Sequence, residues 1–143
     1  WLGDGIEGDD THGHIDDLCR FVNENTIITV VEDDKSDRNY EPLQDNLKRL
    51  QAATLENGKQ PKIVTLPMPK RLDFDGIRIP ASYANFLILN KSVLVPTFND
   101  ANDRVALNTL ADCFPDREII GIAATDFIWG FGTLHCLSQQ IPE

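Results

Sequence analysis

Cysteine is scarce in this chain and methionine scarcer still. Cys19, Cys113 and Cys136 are the only cysteines, an odd number that excludes a fully paired disulfide framework and favours a reducing, cytoplasmic compartment. Met68 is the only methionine. The chain opens on Trp1-Leu2-Gly3-Asp4-Gly5, which lacks the basic, apolar and cleavage-site regions of a signal peptide, and closes on Ile141-Pro142-Glu143. A piece of a longer protein is therefore expected. No apolar run approaches the ~20 residues of a membrane span, so no membrane partner is expected. Basic residues are also few: 13 Lys and Arg stand against 23 Asp and Glu, a formal charge of -10. That balance argues against nucleic acid and favours small cationic partners.

What is present suits a single buried core. The 143 residues are 41% hydrophobic and 25% charged, enough for one domain at most. Within it the same order of elements occurs twice, over residues 13–68 and 81–124. In the first unit, His14 to Val22 and Thr26 to Val31 read as a hairpin across an Asn-Glu-Asn turn. Arg38 to Glu56 reads as an amphipathic helix carrying Leu43, Leu47, Leu50 and Leu55, with Pro42 in its first turn and Gly58 past its end. Lys62 to Leu66 returns as a buried strand. In the second unit, Tyr83 to Leu89, Val93 to Phe98, a helix from Ala101 to Cys113 and a strand from Glu118 to Ala123 repeat the plan. Each ββαβ unit leaves sheet edges unsatisfied and is expected to stack on others. Phe74-Asp75-Gly76 marks a turn between the units, and residues 130–143 are expected to open a further one.

The chemistry-bearing residues lie at the two ends. Side chains alternate on an extended backbone, so Asp10, His12, His14 and Asp16 can face one way, or His14 and Asp16 alone. Three readings stay open: His14 as a proton shuttle with Asp16 as a clamp for a cation, a divalent metal site built on Asp10, His12, His14 and Asp16, or an acidic solvated loop. At the other end, Gly130 and Gly132 flank Phe131 before Thr133-Leu134-His135-Cys136. Glycines so spaced permit a strained turn and close approach of backbone to a ligand. A cysteine held there is a candidate nucleophile, although most free cysteines are buried apolar residues. Cys19 and Cys113 fit that core role. His135 is expected on the opposite face of a strand from Cys136, in a packing role, and Trp129 and Phe131 are expected in the core.

Several stretches carry a resemblance. Trp1 to Val22, Pro80-Ala81-Ser82-Tyr83-Ala84-Asn85-Phe86, Val95-Pro96-Thr97-Phe98-Asn99-Asp100 and His135-Cys136-Leu137-Ser138-Gln139-Gln140-Ile141-Pro142 closely resemble the agmatine deiminases and the related Porphyromonas-type peptidylarginine deiminases, in order along the chain. The resemblance implies an α/β fold of repeated ββαβ units, a five-bladed α/β propeller (pentein fold), of which this chain would be the C-terminal part. It implies Cys136 as nucleophile, His14 as general acid/base and Asp16 as a guanidinium-binding carboxylate, with Gly130 and Gly132 shaping the substrate pocket. The implied reaction is hydrolysis of a guanidino group through a covalent thiouronium, with agmatine giving N-carbamoylputrescine and ammonia in putrescine biosynthesis. Arginine at a peptide terminus is the alternative substrate, and from other classes a metal-binding module or a non-catalytic fragment. No metal or organic cofactor is implied. The partners implied are the guanidino substrate and the N-terminal remainder of the same enzyme, whose further carboxylates the site would need, so the bare chain is expected to be inactive. A homo-oligomer is compatible with this reading.

Overall fold

Two small three-stranded sheets with the same connectivity carry the fold in a computed structural model that describes residues 1–9 and 13–141. In the first, β1 (Cys19–Asn23) pairs antiparallel with β2 (Thr26–Val31), and β2 pairs in parallel with β3 (Lys62–Pro67) through α1 (Tyr40–Gln51). A hairpin of β4 (Leu72–Phe74) and β5 (Ile77–Ile79) follows. In the second sheet, β6 (Leu87–Ile88) pairs antiparallel with β7 (Ser92–Thr97), which pairs in parallel with β8 (Glu118–Ala123) through α2 (Asn102–Cys113). The strand order is therefore first-second-last in both sheets. Mixed α/β structure with small sheets is what the sequence pattern anticipates.

The core explains why these segments settle as they do. Ile28, Val30, Leu43 and Leu66 of the first unit join Val93, Val95, Ala106 and Leu110 of the second in one buried cluster. At roughly 1.5–3 kcal/mol per buried large apolar side chain, this cluster is the main force holding the units together. Helix α1 presents Leu43, Asn46 and Leu50 on its buried face. Asn46 is polar there because it stitches the N-terminal segment down: its Oδ1 accepts from the Gly3 amide at 2.7 Å and its Nδ2 donates to the Asp4 carbonyl at 2.9 Å. Asn39 Oδ1 likewise accepts from the Glu7 amide at 2.7 Å. Arg78, whose side chain is 5% exposed, closes this layer by donating to Asp37 at 2.7 Å and Glu7 at 3.1 Å. Burial would lower the Arg78 pKa, but the two carboxylates outweigh it and raise it.

Several expectations need correction. The strand expected from His14 begins only at Cys19, because Ile15–Asp17 winds into a 3₁₀ turn. Helix α1 is shorter than Arg38 to Glu56: it stops at Gln51, and Leu55 belongs to a separate turn in which the Leu55 amide donates to Lys59 and that of Gly58 to Leu55. The five-residue step from Leu50 to Leu55 cannot keep both on one helical face. Strand β3 is not buried throughout, since only Leu66 is. Residues 83–86 are a buried connection, and the strand they were expected to form is reduced to Leu87–Ile88. Residues 130–141 form turns and contain no strand. Trp129 and Phe131 are 56% and 38% exposed, not core, and Trp129 stacks on Phe74 of the hairpin with ring centroids 4.3 Å apart. Cys113 is only partly buried, whereas Cys19 is buried as expected.

Candidate active site

The site is assembled from three connections. The first is the 3₁₀ turn at Ile15–Asp17, which presents Asp16 and Asp17 just before β1. Asp9 anchors the approach, its Oδ2 accepting from the amides of Gly13 at 2.9 Å and His14 at 2.6 Å. Gly13 has φ +114 and Gly5 lies so close to it that a Cβ on Gly5 would fall 2.5 Å from the Gly13 Cα, so this crossing admits no side chain.

The second connection, residues 82–86, is pinned from both sides. Ser82 Oγ donates to the Asp17 carbonyl at 2.8 Å, and Arg20 of β1 donates to the Phe86 carbonyl at 3.0 Å while its guanidinium lies 5.0 Å from the Phe86 ring centroid. Asn85 is thereby held almost wholly buried. The third connection is the turn over 133–138, in which the Leu137 amide donates to the Thr133 carbonyl and that of Ser138 to His135. Asn85 Oδ1 receives this turn, accepting from Thr133 Oγ1 at 2.8 Å and the amides of Thr133 at 3.3 Å, His135 at 3.0 Å and Cys136 at 3.3 Å.

The Asn85 side chain also faces the reactive groups. Its Nδ2 lies 3.0 Å from each of Asp16 Oδ2, Asp17 Oδ1 and Cys136 Sγ. An amide carries two hydrogens, so three acceptors cannot all be served at once. The Cys136 thiol accordingly donates to Asp16 Oδ2 at 3.2 Å. Asp16 Oδ2 also lies 2.8 Å from His135 Nδ1. Donor atoms of His14, Asp16, Asp17 and Cys136 all lie within 4.8 Å of one another, although Cys136 is 120 residues from Asp16 in sequence. His14 and Cys136 are exposed and Asp17 is buried beneath them.

The electrostatics follow from this crowding. Burial raises the Cys136 thiol to about 11, and the nearby Asp16 and Asp17 carboxylates reinforce it while the Asn85 hydrogen bond opposes. Burial would also raise Asp16, but hydrogen bonds from His135 and Cys136 and the charge of His135 outweigh it, so Asp16 stays below the usual carboxylate range. Asp17 is pushed up to about 8 by burial and then by the Asp16 charge, against the Asn85 hydrogen bond. Cys19 is likewise raised to about 11 by burial.

The structure thus brings His14, Asp16 and Cys136 together. The extended-strand alternation that linked His14 to Asp16 does not: a 3₁₀ turn does. Asp10 and His12 lie outside the described residues. Gly132 is a close approach, since a Cβ there would meet Cys136 Cβ at 2.6 Å and Sγ at 2.8 Å, whereas nothing among the described residues lies within 4 Å of a Cβ on Gly130. The strained backbone between them belongs to Phe131 at φ 61. His135, expected on the far face of a strand, turns toward Asp16 because the segment is a turn. Asn85 and Asp17 were not anticipated. An asparagine amid uniformly apolar neighbours, in Tyr83-Ala84-Asn85-Phe86, is the signal that could have found the first. An apolar groove of about 280 Å³ beside β1, lined by residues including Leu2, Ile15, Cys19 and Phe21, contains none of these groups.

Comparison with known proteins agrees along the whole chain. The model of the Porphyromonas-type peptidyl-arginine deiminases matches residues 1–142. The chain belongs to that family. A Lactococcus lactis protein provisionally named agmatine deiminase is 39% identical over all of this chain and 44% of its own length. Solved structures agree with this placement of the deiminase-family chain. An agmatine deiminase of Enterococcus faecalis, titled as catalysing its reaction, superposes with TM-score 0.94 at 36% identity over 100% of this chain and 44% of that one. A C. jejuni agmatine deiminase, a cysteine-to-serine variant with substrate bound, gives TM-score 0.86 at 38% identity over 94% of this chain and 39% of that one. The chain spans less than half the length of the relatives it matches.

Proposed function

We propose that this chain supplies the nucleophile, the proton-transfer group and one substrate carboxylate of an enzyme that hydrolyses a guanidino group, with agmatine as substrate and N-carbamoylputrescine and ammonia as products. The observation that carries the reading is the convergence of Cys136, His14 and Asp16 in one exposed site. Agmatine is favoured because the relatives named above are agmatine deiminases. The family description favours a peptidyl-arginine side chain as the second reading.

Asp16, kept ionised, accepts hydrogen bonds from a planar guanidinium and orients it. The seated cation offsets the carboxylates that hold the Cys136 proton, so thiolate forms when substrate is present and its proton passes to His14. The thiolate adds to the guanidinium carbon. His14 delivers a proton to the departing nitrogen, ammonia leaves, and a covalent thiouronium remains. Water deprotonated by His14 adds to that carbon, and collapse expels the thiolate and yields the ureido product. Asn85 holds the sulfur-bearing turn in register, and His135 holds Asp16. Gly132 lets the turn pass close to the sulfur, and Gly130 contributes backbone at the rim.

The same reading makes the two ββαβ units two blades of a five-bladed propeller, completed by the remainder of a longer enzyme that adds further carboxylates. Three unpaired cysteines support a cytoplasmic setting. No helix among the described residues is long and apolar enough to cross a membrane. The deciding experiment measures ammonia release from agmatine and from peptidyl-arginine by the complete polypeptide. Turnover of agmatine that vanishes in Cys136→Ser supports the proposal, and turnover that survives in that variant overturns it.

A further inference from the structure

We infer that His14, Asp16, Asp17 and Cys136 form a site for a thiophilic divalent cation of the zinc type, and that occupancy of this site silences Cys136. The binding stands on the geometry alone; only the silencing rests on the hydrolase reading.

One donor atom from each of the four residues lies within 4.8 Å of every other. Ligands around a tetrahedral zinc, with bonds of about 2.0–2.3 Å, stand roughly 3.3–3.8 Å apart. Side-chain rotations that draw the donors in by about 1 Å therefore close a coordination shell without moving the backbone. A sulfur, an imidazole nitrogen and carboxylate oxygens are a donor set suited to zinc and not to magnesium or calcium.

A second, independent observation points to a ligand at this place. Asp17 is 2% exposed and its Oδ2 has no hydrogen-bond partner among the described residues. Buried carboxylate oxygens are ordinarily paired, and a bound cation supplies what Asp17 lacks. The nearby cation, Arg20, turns Nη1 to the carbonyls of Ala84 and Phe86. Exposed His14 and Cys136 leave the site open to an ion from solvent. Binding breaks the S–H bond, forms a sulfur–metal bond and releases the proton to solvent, with no change of oxidation state. A sulfur so bound cannot attack carbon.

The test titrates the complete polypeptide, stripped with chelator, with zinc chloride, and with cobalt(II) as a spectroscopic probe. The expected result is one equivalent of bound zinc and a sulfur-to-cobalt charge-transfer absorption that disappears in Cys136→Ala. Asp17→Asn and His14→Ala each weaken zinc binding by roughly tenfold or more. Bound zinc blocks both alkylation of Cys136 and ammonia release, and chelation restores them. Absence of zinc binding, or equal zinc affinity in the parent and all three variants, overturns the inference. So does full turnover with the site saturated by zinc. A polypeptide that binds zinc as described yet hydrolyses no guanidino compound refutes the hydrolase reading and leaves the metal site standing.

Discussion

The side-chain nitrogen of Asn85 lies 3.0 Å from the sulfur of Cys136, and the oxygen of the same amide accepts from the Cys136 backbone N–H at 3.3 Å. One residue therefore fixes both the position of the proposed nucleophile and part of its proton balance. Replacing Asn85 by Ala leaves the amides of Thr133 and Cys136 without this acceptor, at about 1–3 kcal/mol for each buried group left unpaired, whereas the His135 amide keeps the Asn85 carbonyl at 3.2 Å. Asn85→Ala is expected to lower the thermal midpoint and to cut kcat by at least roughly a hundredfold. Asn85→Asp puts a third carboxylate against the sulfur, so the pH at which Cys136 alkylates should move up. Thermal unfolding and alkylation rates across pH check both.

Loss of either group proposed to react, Cys136 or His14, should stop turnover with little change in fold. Cys136→Ser and His14→Ala are expected to lower ammonia release by about 10³-fold or more, since covalent attack and proton transfer are each removed. Both side chains are exposed, so unfolding midpoints should hardly move. His135→Ala should instead act through Asp16, raising KM for the cationic substrate more than it lowers kcat. Steady-state kinetics with circular dichroism of each variant separate the cases.

Gly132 and Gly130 should differ sharply. An alanine at Gly132 would put its Cβ 2.6 Å from the Cys136 Cβ and 2.8 Å from its sulfur, which must then shift. An alanine at Gly130 meets nothing within 4 Å among the described residues. Gly132→Ala is expected to lose most activity, and Gly130→Ala to keep it within about twofold. Equal loss in both would show that Gly130 touches the substrate.

Asp17 predicts an unusual pH dependence of stability. Its folded pKa, about 8, lies above the ordinary 3.8, so between those values the folded state holds a proton the unfolded state has released. Stability therefore falls as pH rises from about 4 to about 8. Asp17→Asn removes that titration and should be more stable than the parent at pH 8 by about 1–3 kcal/mol. Denaturant titrations at both pH values, with chelator present, test this.

The buried Arg78 pairs predict the opposite trend. The Asp37 carboxyl would be raised by burial, but its hydrogen bond from Arg78 and the nearby cations hold it below the ordinary range. That stability is present above the unfolded pKa of Asp37 and is lost as pH falls through the depressed folded value. Arg78→Met leaves Asp37 without its guanidinium partner, while Glu7 keeps Arg38 at 2.9 Å, and should cost roughly 3 kcal/mol, read from denaturant unfolding.

Regular elements were legible in the sequence wherever pattern and length agreed. Thr26–Val31 and Glu118–Ala123 have the bounds that their β-branched runs indicate. Residues 83–86 were not legible as a connection, because a wholly buried loop shows the same unbroken apolar character as a central strand. That misreading hid Asn85. His14 and Asp16 were paired by assuming a strand where a 3₁₀ turn exists, and they still meet Cys136, since two residues apart on a strand and two residues apart on a 3₁₀ turn are equally compatible with proximity to a third group. His135 was sent to the wrong face by assuming extended backbone where a turn exists. Asp17 could not be ranked above other acidic residues without knowing that it alone of the adjacent pair is buried.

The polar groups at the site come from connections, and so does much of the apolar core: Tyr83, Ala84 and Phe86, all wholly buried, flank Asn85 in the segment that receives the Cys136 turn. Scaffold and chemistry are therefore joined at that segment. A change of side-chain volume at Tyr83 or Phe86 should shift melting behaviour and the placement of Cys136 together. Sequence drift has least freedom where the two roles coincide.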